Sequence, residues 1–143
     1  MIEEVSTPQA PQALGAYSQA VKANGFVFVS GQLGIDPETG ELVGKSATLQ
    51  THQAMKNISA ILEAAGSSMD KVVRATIYMQ NASDFAEING VYAQYFGGEG
   101  SEGDEGNEGD GARVVKPARV AFGSNVIPKP GAVVEIDAIA VVE

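Results

Sequence analysis

Ala132-Val133-Val134-Glu135-Ile136-Asp137-Ala138-Ile139-Ala140 is the run on which the fold turns. Glu135 and Asp137 alternate with Val134, Ile136 and Ala138. That is the period-two pattern of a strand with one apolar and one polar face. Just upstream, Lys116-Pro117-Ala118-Arg119-Val120-Ala121-Phe122 sets one arginine among small and β-branched residues. The two runs are expected as strands over 120–126 and 133–142. They form a closing pair around the turn Pro128-Lys129-Pro130-Gly131. Charges in such strands are costly to bury unpaired. Their face is therefore either wet or a binding site.

Working outward, helical spacing of Ala47, Thr51, Ala54, Ile58, Ile61 and Ala65 predicts a helix over 47–65. Ser46 is its N-cap and Gly66 its stop. A second helix is predicted over 84–96, where Asp84 and Glu87 have the spacing of a capping box. Strands are predicted over 17–22 and 26–30, joined at Asn24-Gly25, which favours a tight hairpin. Asp36-Pro37-Glu38-Thr39-Gly40 is a turn before a short strand at 41–43. Residues 72–79 make a further strand. This order predicts an α+β fold with both helices on one face of a mixed sheet.

At 143 residues the chain is expected to be one domain, 1–143. Residues 97–111 hold seven glycines and six acids, a loop insertion unable to offset its own ordering cost. The formal charge is −9, but outside this insertion 12 acids face 9 bases. Such a balance offers no basic footprint for nucleic acid. The chain has no cysteine, which excludes disulfides and thiolate chemistry and fits a reducing, cytoplasmic address. No apolar run reaches the roughly 20 residues of a membrane span. The acidic first residues lack the apolar core of a secretion signal.

Arg119 offers a planar fork of donors suited to a carboxylate or phosphate. The competing reading is a structural ion pair, and residue type alone favours the latter. Glu135 in a confined apolar setting suits general acid/base work, against a solvated strand face. Ser30-Gly31-Gln32 follows an apolar strand and permits close backbone approach, but a bulge or turn is the default there. Tyr17 walls a pocket or packs in a core or interface. Asn89 on a helix is more often exposed than functional. His52, the one histidine, reads as an inert surface residue near Gln50, Gln53 and Lys56. It leaves no pair of histidines for a metal and no credible base for a nucleophile.

Together these stretches resemble the reactive-intermediate (enamine/imine) deaminase family, also called YjgF-like or L-PSP. The resemblance is carried by Ala13-Leu14-Gly15-Ala16-Tyr17-Ser18-Gln19, Val29-Ser30-Gly31-Gln32, Asp36 to Glu41 and Asn57 to Gly66. It continues through Phe85 to Tyr92, Pro117-Ala118-Arg119 and Val134 to Ala140. It implies a chorismate-mutase-like (bacillar type) α+β subunit and a homotrimer with clefts between neighbours. The implied reaction hydrolyses 2-aminoacrylate and 2-iminobutanoate to 2-keto acids and ammonia, with no cofactor and no metal. It places Arg119 on the substrate carboxylate and Glu135 at the proton-transfer step. Tyr17, Ser30, Gly31, Asn89 and Ala121 line the same cleft. Ala121 stands where many members carry cysteine, so a thiol-dependent role is absent. The closing turn is one residue longer than the family pattern. A non-catalytic carboxylate-binding trimer is the first alternative. RNA cleavage, a label the family sometimes carries, sits poorly with the acidic charge.

Overall fold

In a computed structural model of the chain, the structure describes residues 1–96 and 115–142. The glycine- and acid-rich insertion expected at 97–111 lies outside them. Six strands form one sheet: β1 (Glu3–Val5), β2 (Ala20–Ala23), β3 (Phe26–Gln32), β4 (Val72–Met79), β5 (Ala118–Gly123) and β6 (Val134–Val141). Their order is β1-β2-β3-β6-β4-β5. Helix α1 spans Ala47–Ala64 and α2 spans Phe85–Phe96.

Local signals explain much of this. Asn24 and Gly25 both take positive φ, 52° and 82°, as the two-residue hairpin between β2 and β3 requires. The Ser46 hydroxyl accepts from Leu49 N at 3.1 Å and caps α1. Gly66, at φ 86°, closes its other end. Inward residues of α1, among them Met55, Ile58, Ile61 and Leu62, meet Val134, Ile136, Ala138 and Ala140 of β6 in one core. Full burial of each large aliphatic contributes about 1.5–3 kcal/mol.

Several expectations fail. The strands carrying Arg119 and Glu135 are not neighbours, because β4 lies between them. It pairs parallel with β5 and antiparallel with β6. A parallel pair needs a long crossover, and α2 lies on the connection from β4 to β5. The strand expected from residue 17 starts only at Ala20, leaving Tyr17 in a loop. Residues 41–43 form no strand; Leu42 makes an isolated bridge to Ile35. β1 was not expected at all. Its Glu3 pairs with Lys22, 3.8 Å between charges.

The Asp84–Glu87 capping box does not form. The Glu87 carboxylate instead accepts from Thr48 N at 2.8 Å and Thr48 Oγ1 at 2.7 Å. It thus satisfies an orphan donor in the first turn of α1 and ties the two helices together. These bonds hold its carboxyl below the ordinary 4.5. A lowered pKa gives stability that is present above the unfolded value and lost as pH falls through the folded one. Glu87→Ala should therefore unfold more easily than wild type at pH 7, with the difference shrinking below pH 4.5. Denaturant titrations across pH check this; a gap that persists at low pH would refute it.

Candidate active site

The parity of the strands decides where each charge points. Arg119 is in register with Ala75 and Glu135 with Tyr78. Ala75 and Tyr78 are three residues apart, so their side chains leave β4 on opposite faces. Arg119 therefore lies on the helix side and Glu135 on the helix-free side. Within one chain the sheet separates them.

On the helix side, α2 presents Phe85, Asn89 and Tyr92 at i, i+4 and i+7, one stripe facing β5. The Arg119 guanidinium donates to Asn89 Oδ1 at 2.6 Å. Its carbon lies 5.4 Å from the Phe85 ring centre and 5.0 Å from that of Tyr92. Burial pushes the Tyr92 phenol up to about 12 against the opposing pull of Arg119, so the ring stays neutral. Among the described residues no carboxylate pairs with Arg119, and the structural ion pair is not made. The guanidinium opens into a cleft of ≈ 620 Å³ lined also by Asn89, Tyr92, Phe96, Lys116 and Pro117. No acid lines it. Ala121, opposite Ile77, packs partly against the core on the same side as Arg119.

On the other side, a bulge in β3 makes room for Glu135. Val29 pairs with Ala138 and Gln32 with Ile136, three steps on β3 against two on β6. The bulged residues are Ser30 and Gly31. The Glu135 carboxylate occupies the space a Gly31 side chain would fill. The Ser30 hydroxyl donates to Ser18 O at 2.7 Å, and Ser30 N to Gln19 O at 3.0 Å, which anchors the preceding loop. Gly31 and Tyr17 line a second cleft of ≈ 430 Å³ with Pro11, Leu14, Ile35 and Pro128. Burial raises the Glu135 pKa above 4.5, and the Asp137 charge on the same strand face raises it further. Asp137 itself accepts from Tyr78 Oη at 3.1 Å and has a structural role.

The structure thus sorts the sequence-predicted residues into two groups. Arg119, Asn89 and Ala121 lie on one side; Tyr17, Ser30, Gly31 and Glu135 lie on the other. The longer closing turn leaves β6 unbroken. Sequence reasoning missed Phe85 and Tyr92 as partners of Arg119, although their spacing with Asn89 was visible. It also placed Gln50 beside a surface histidine, whereas Gln50 is fully buried. His52 Nδ1 meets Tyr95 Oη at 3.1 Å between the helices.

Residues 7–142 match the family model described as Endoribonuclease L-PSP. A RutC family protein of Pyrococcus horikoshii is 44% identical over 140 residues, 98% of each chain. The chain belongs to the L-PSP (YjgF/RutC/Rid) family. The rat 2-iminobutanoate/2-iminopropanoate deaminase is 39% identical over 137 residues, 96% of this chain and 88% of that one. The crystal structure of E. coli TdcF with bound serine superposes with a TM-score of 0.82 at 33% identity, covering 99% of each chain. The fold is accordingly the chorismate-mutase-like α+β fold of L-PSP proteins.

The two causes of the Glu135 shift can be separated. Asp137→Asn keeps an acceptor for Tyr78 and removes the like charge. The Glu135 pKa should fall but stay above 4.5, because burial is the larger cause. Carboxyl-carbon NMR titration measures it; an unchanged value would contradict the assigned geometry.

Proposed function

We propose that the protein hydrolyses small 2-enamine and 2-imine acids, such as 2-aminoacrylate and 2-iminobutanoate, to 2-keto acids and ammonia. It does so as a cytoplasmic homotrimer whose sites lie between neighbouring copies. The observation that carries the proposal is the guanidinium of Arg119, held by a neutral amide and two ring faces and paired with no carboxylate among the described residues. Such a group is preorganised for an anion without being neutralised by the protein. Two relatives named 2-iminobutanoate/2-iminopropanoate deaminase, from rat and goat, support it.

The chemistry needs little more. The substrate carboxylate pairs with Arg119, which fixes C2. An enamine first takes a proton at C3 to become the imine. Glu135, deprotonated, takes a proton from water as the water oxygen bonds to C2. It then returns that proton to nitrogen. The C–N bond breaks as Glu135 takes the remaining hydroxyl proton; ammonia leaves and the 2-keto acid remains. Positioning and proton transfer supply the rate, about 10²–10⁴-fold from the acid/base group alone. The reaction so written calls for no cofactor.

The two groups must meet from different chains, because the sheet separates them within one. The helix-free face is suited to such an association. Phe26, Phe28, Val120 and Phe122 expose 37–46% of their surface there, and neither described helix covers it. Apolar faces of this kind mark interfaces. RNA cleavage finds no comparable support, since the sequence pI is ≈ 4.5 and neither cleft carries a basic stripe.

Arg119→Ala should lower kcat/KM for imine hydrolysis by about 10²-fold or more, as expected when an orienting charge is lost. A coupled assay on imines generated in situ reads it, and unchanged catalysis would end the assignment. A shared site makes a second demand. Arg119→Ala and Glu135→Gln chains, each inactive alone, should regain activity when unfolded together and reassembled. About a quarter of the sites would then be wild type in a cyclic oligomer. Two variants that stay inactive as mixed oligomers would place both groups on one chain.

A further inference from the structure

Gln50 stands apart from the rest of the core. It is completely buried on α1, and all its amide bonding capacity is directed at two loops rather than at its own helix. Its Nε2 donates to Gly44 O and to Gly131 O, each at 2.9 Å. Its Oε1 accepts from Val133 N at 2.9 Å. Gly34 sits so close to the Gln50 backbone that a side chain there would collide with it. One turn pair further along, Asn57 Nδ2 donates to Leu33 O at 3.1 Å and Ile35 O at 3.0 Å. Its Oδ1 is in turn held by Gln53 at 2.9 Å.

The loops so held are the two walls of the ≈ 430 Å³ cleft. One wall runs through Leu33 and Ile35 to Gly40, the other through Pro128 to Pro130. Val133, bonded directly to Gln50, is two residues before Glu135. Gln50 therefore fixes the separation of the walls and the entry of β6 together. A buried amide of this kind costs more when half-satisfied than when absent. Here its two donor hydrogens and its carbonyl all find partners.

We propose that Gln50 is a positioning residue for the deamination site. It sets the width of the cleft beside Glu135 and so the size of substrate side chain accepted there. It also seats the start of β6 so that the Glu135 carboxylate rests over Gly31. Beside Gln12, Gln19, Gln32 and Lys129, the cleft walls carry an apolar stretch of Pro11, Leu14, Leu33, Ile35 and Pro128, so the side chains it sorts are aliphatic. This inference rests on the deaminase reading above.

The test uses Gln50→Met, of similar length without polar atoms, and Gln50→Asn, which keeps the amide one methylene short. Wild type and both variants are compared on imines from alanine, 2-aminobutyrate, leucine and methionine. Binding of the corresponding 2-keto acids is measured by calorimetry, and folded fraction by circular dichroism. For Gln50→Met the ratio of kcat/KM between long and short side chains should change at least threefold. The acid limb of its pH profile, set by Glu135, should also move. Gln50→Asn should lie between Met and wild type on both readouts. A merely structural glutamine would lower all rates in proportion to folded fraction, leaving ratio and pH limb unchanged; that result overturns the proposal. Should Gln50→Met not fold, Gln50→Asn alone must show the altered ratio, and an unaltered one overturns the proposal. If wild type accelerates no imine, the deaminase reading fails. Keto-acid affinities that change with side-chain size in the variants would then still support Gln50 as the ruler of the cleft. Affinities that do not change would overturn it too.

Discussion

The placement of β4 between β6 and β5 is the constraint from which the site follows. It comes from chain connectivity: a strand, a helix and a second strand join as a parallel pair only through a crossover. β4, α2 and β5 are that unit here. The crossover lays α2 over β5, so the inward-facing arginine of β5 meets a helix instead of an acidic strand. The antiparallel partner on the other flank of β4 carries its carboxylates to the opposite face. Arg119 and Glu135 are thereby divided by the sheet. A single connectivity rule accounts both for an arginine with no carboxylate partner among the described residues and for its separation from Glu135.

The electrostatics follow the same division. An acid beside Arg119 would neutralise its charge, and among the described residues none pairs with it. Ring faces and an amide restrain a guanidinium for about 0.5–2 kcal/mol without cancelling its charge. Glu135 is treated in the opposite way: its surroundings and Asp137 both disfavour its charged form. The cation is held ready as a cation, while the carboxyl is pushed toward the pH range in which it can both take and give a proton. Opposite treatments of two charges point to opposite roles.

Much of this was legible because it is written locally. Helix α1 with its Ser46 cap and Gly66 stop, the Asn24-Gly25 hairpin and β4 depend on neighbours within a few residues. What was missed depends on distant partners. Glu87 has capping-box spacing yet serves Thr48, 39 residues away in sequence. β1, three residues with two acids, forms only because β2 offers it a ladder. Residues 41–43 have strand-like composition but find a single bridge. The parallel β4–β5 pair was implied by the order strand, helix, strand, and the turn at 128–131 misled by suggesting a hairpin. For the site, Arg119 and Glu135 were visible as residue types, whereas their opposite faces required the register. Gln50 carried a faint signal, an amide seven residues from Asn57 along one helical face.

That spacing has a physical origin. Loops 33–44 and 128–133 lie against the core without ladder partners for several main-chain groups, and such groups cannot be left bare where water is excluded. The helix packed beneath them supplies the missing partners through Gln50 and Asn57, which is why two amides sit in its mostly apolar buried stripe. The base of the cleft is thus tied to α1 by five side-chain hydrogen bonds. Its rim is different: Leu14 exposes 90% and Tyr17 55% of its surface. A fixed base beside an exposed apolar rim suits a site that a neighbouring copy completes. The base keeps the Glu135 carboxylate against Gly31, and in the proposed oligomer the rim would take its final shape against the neighbouring copy.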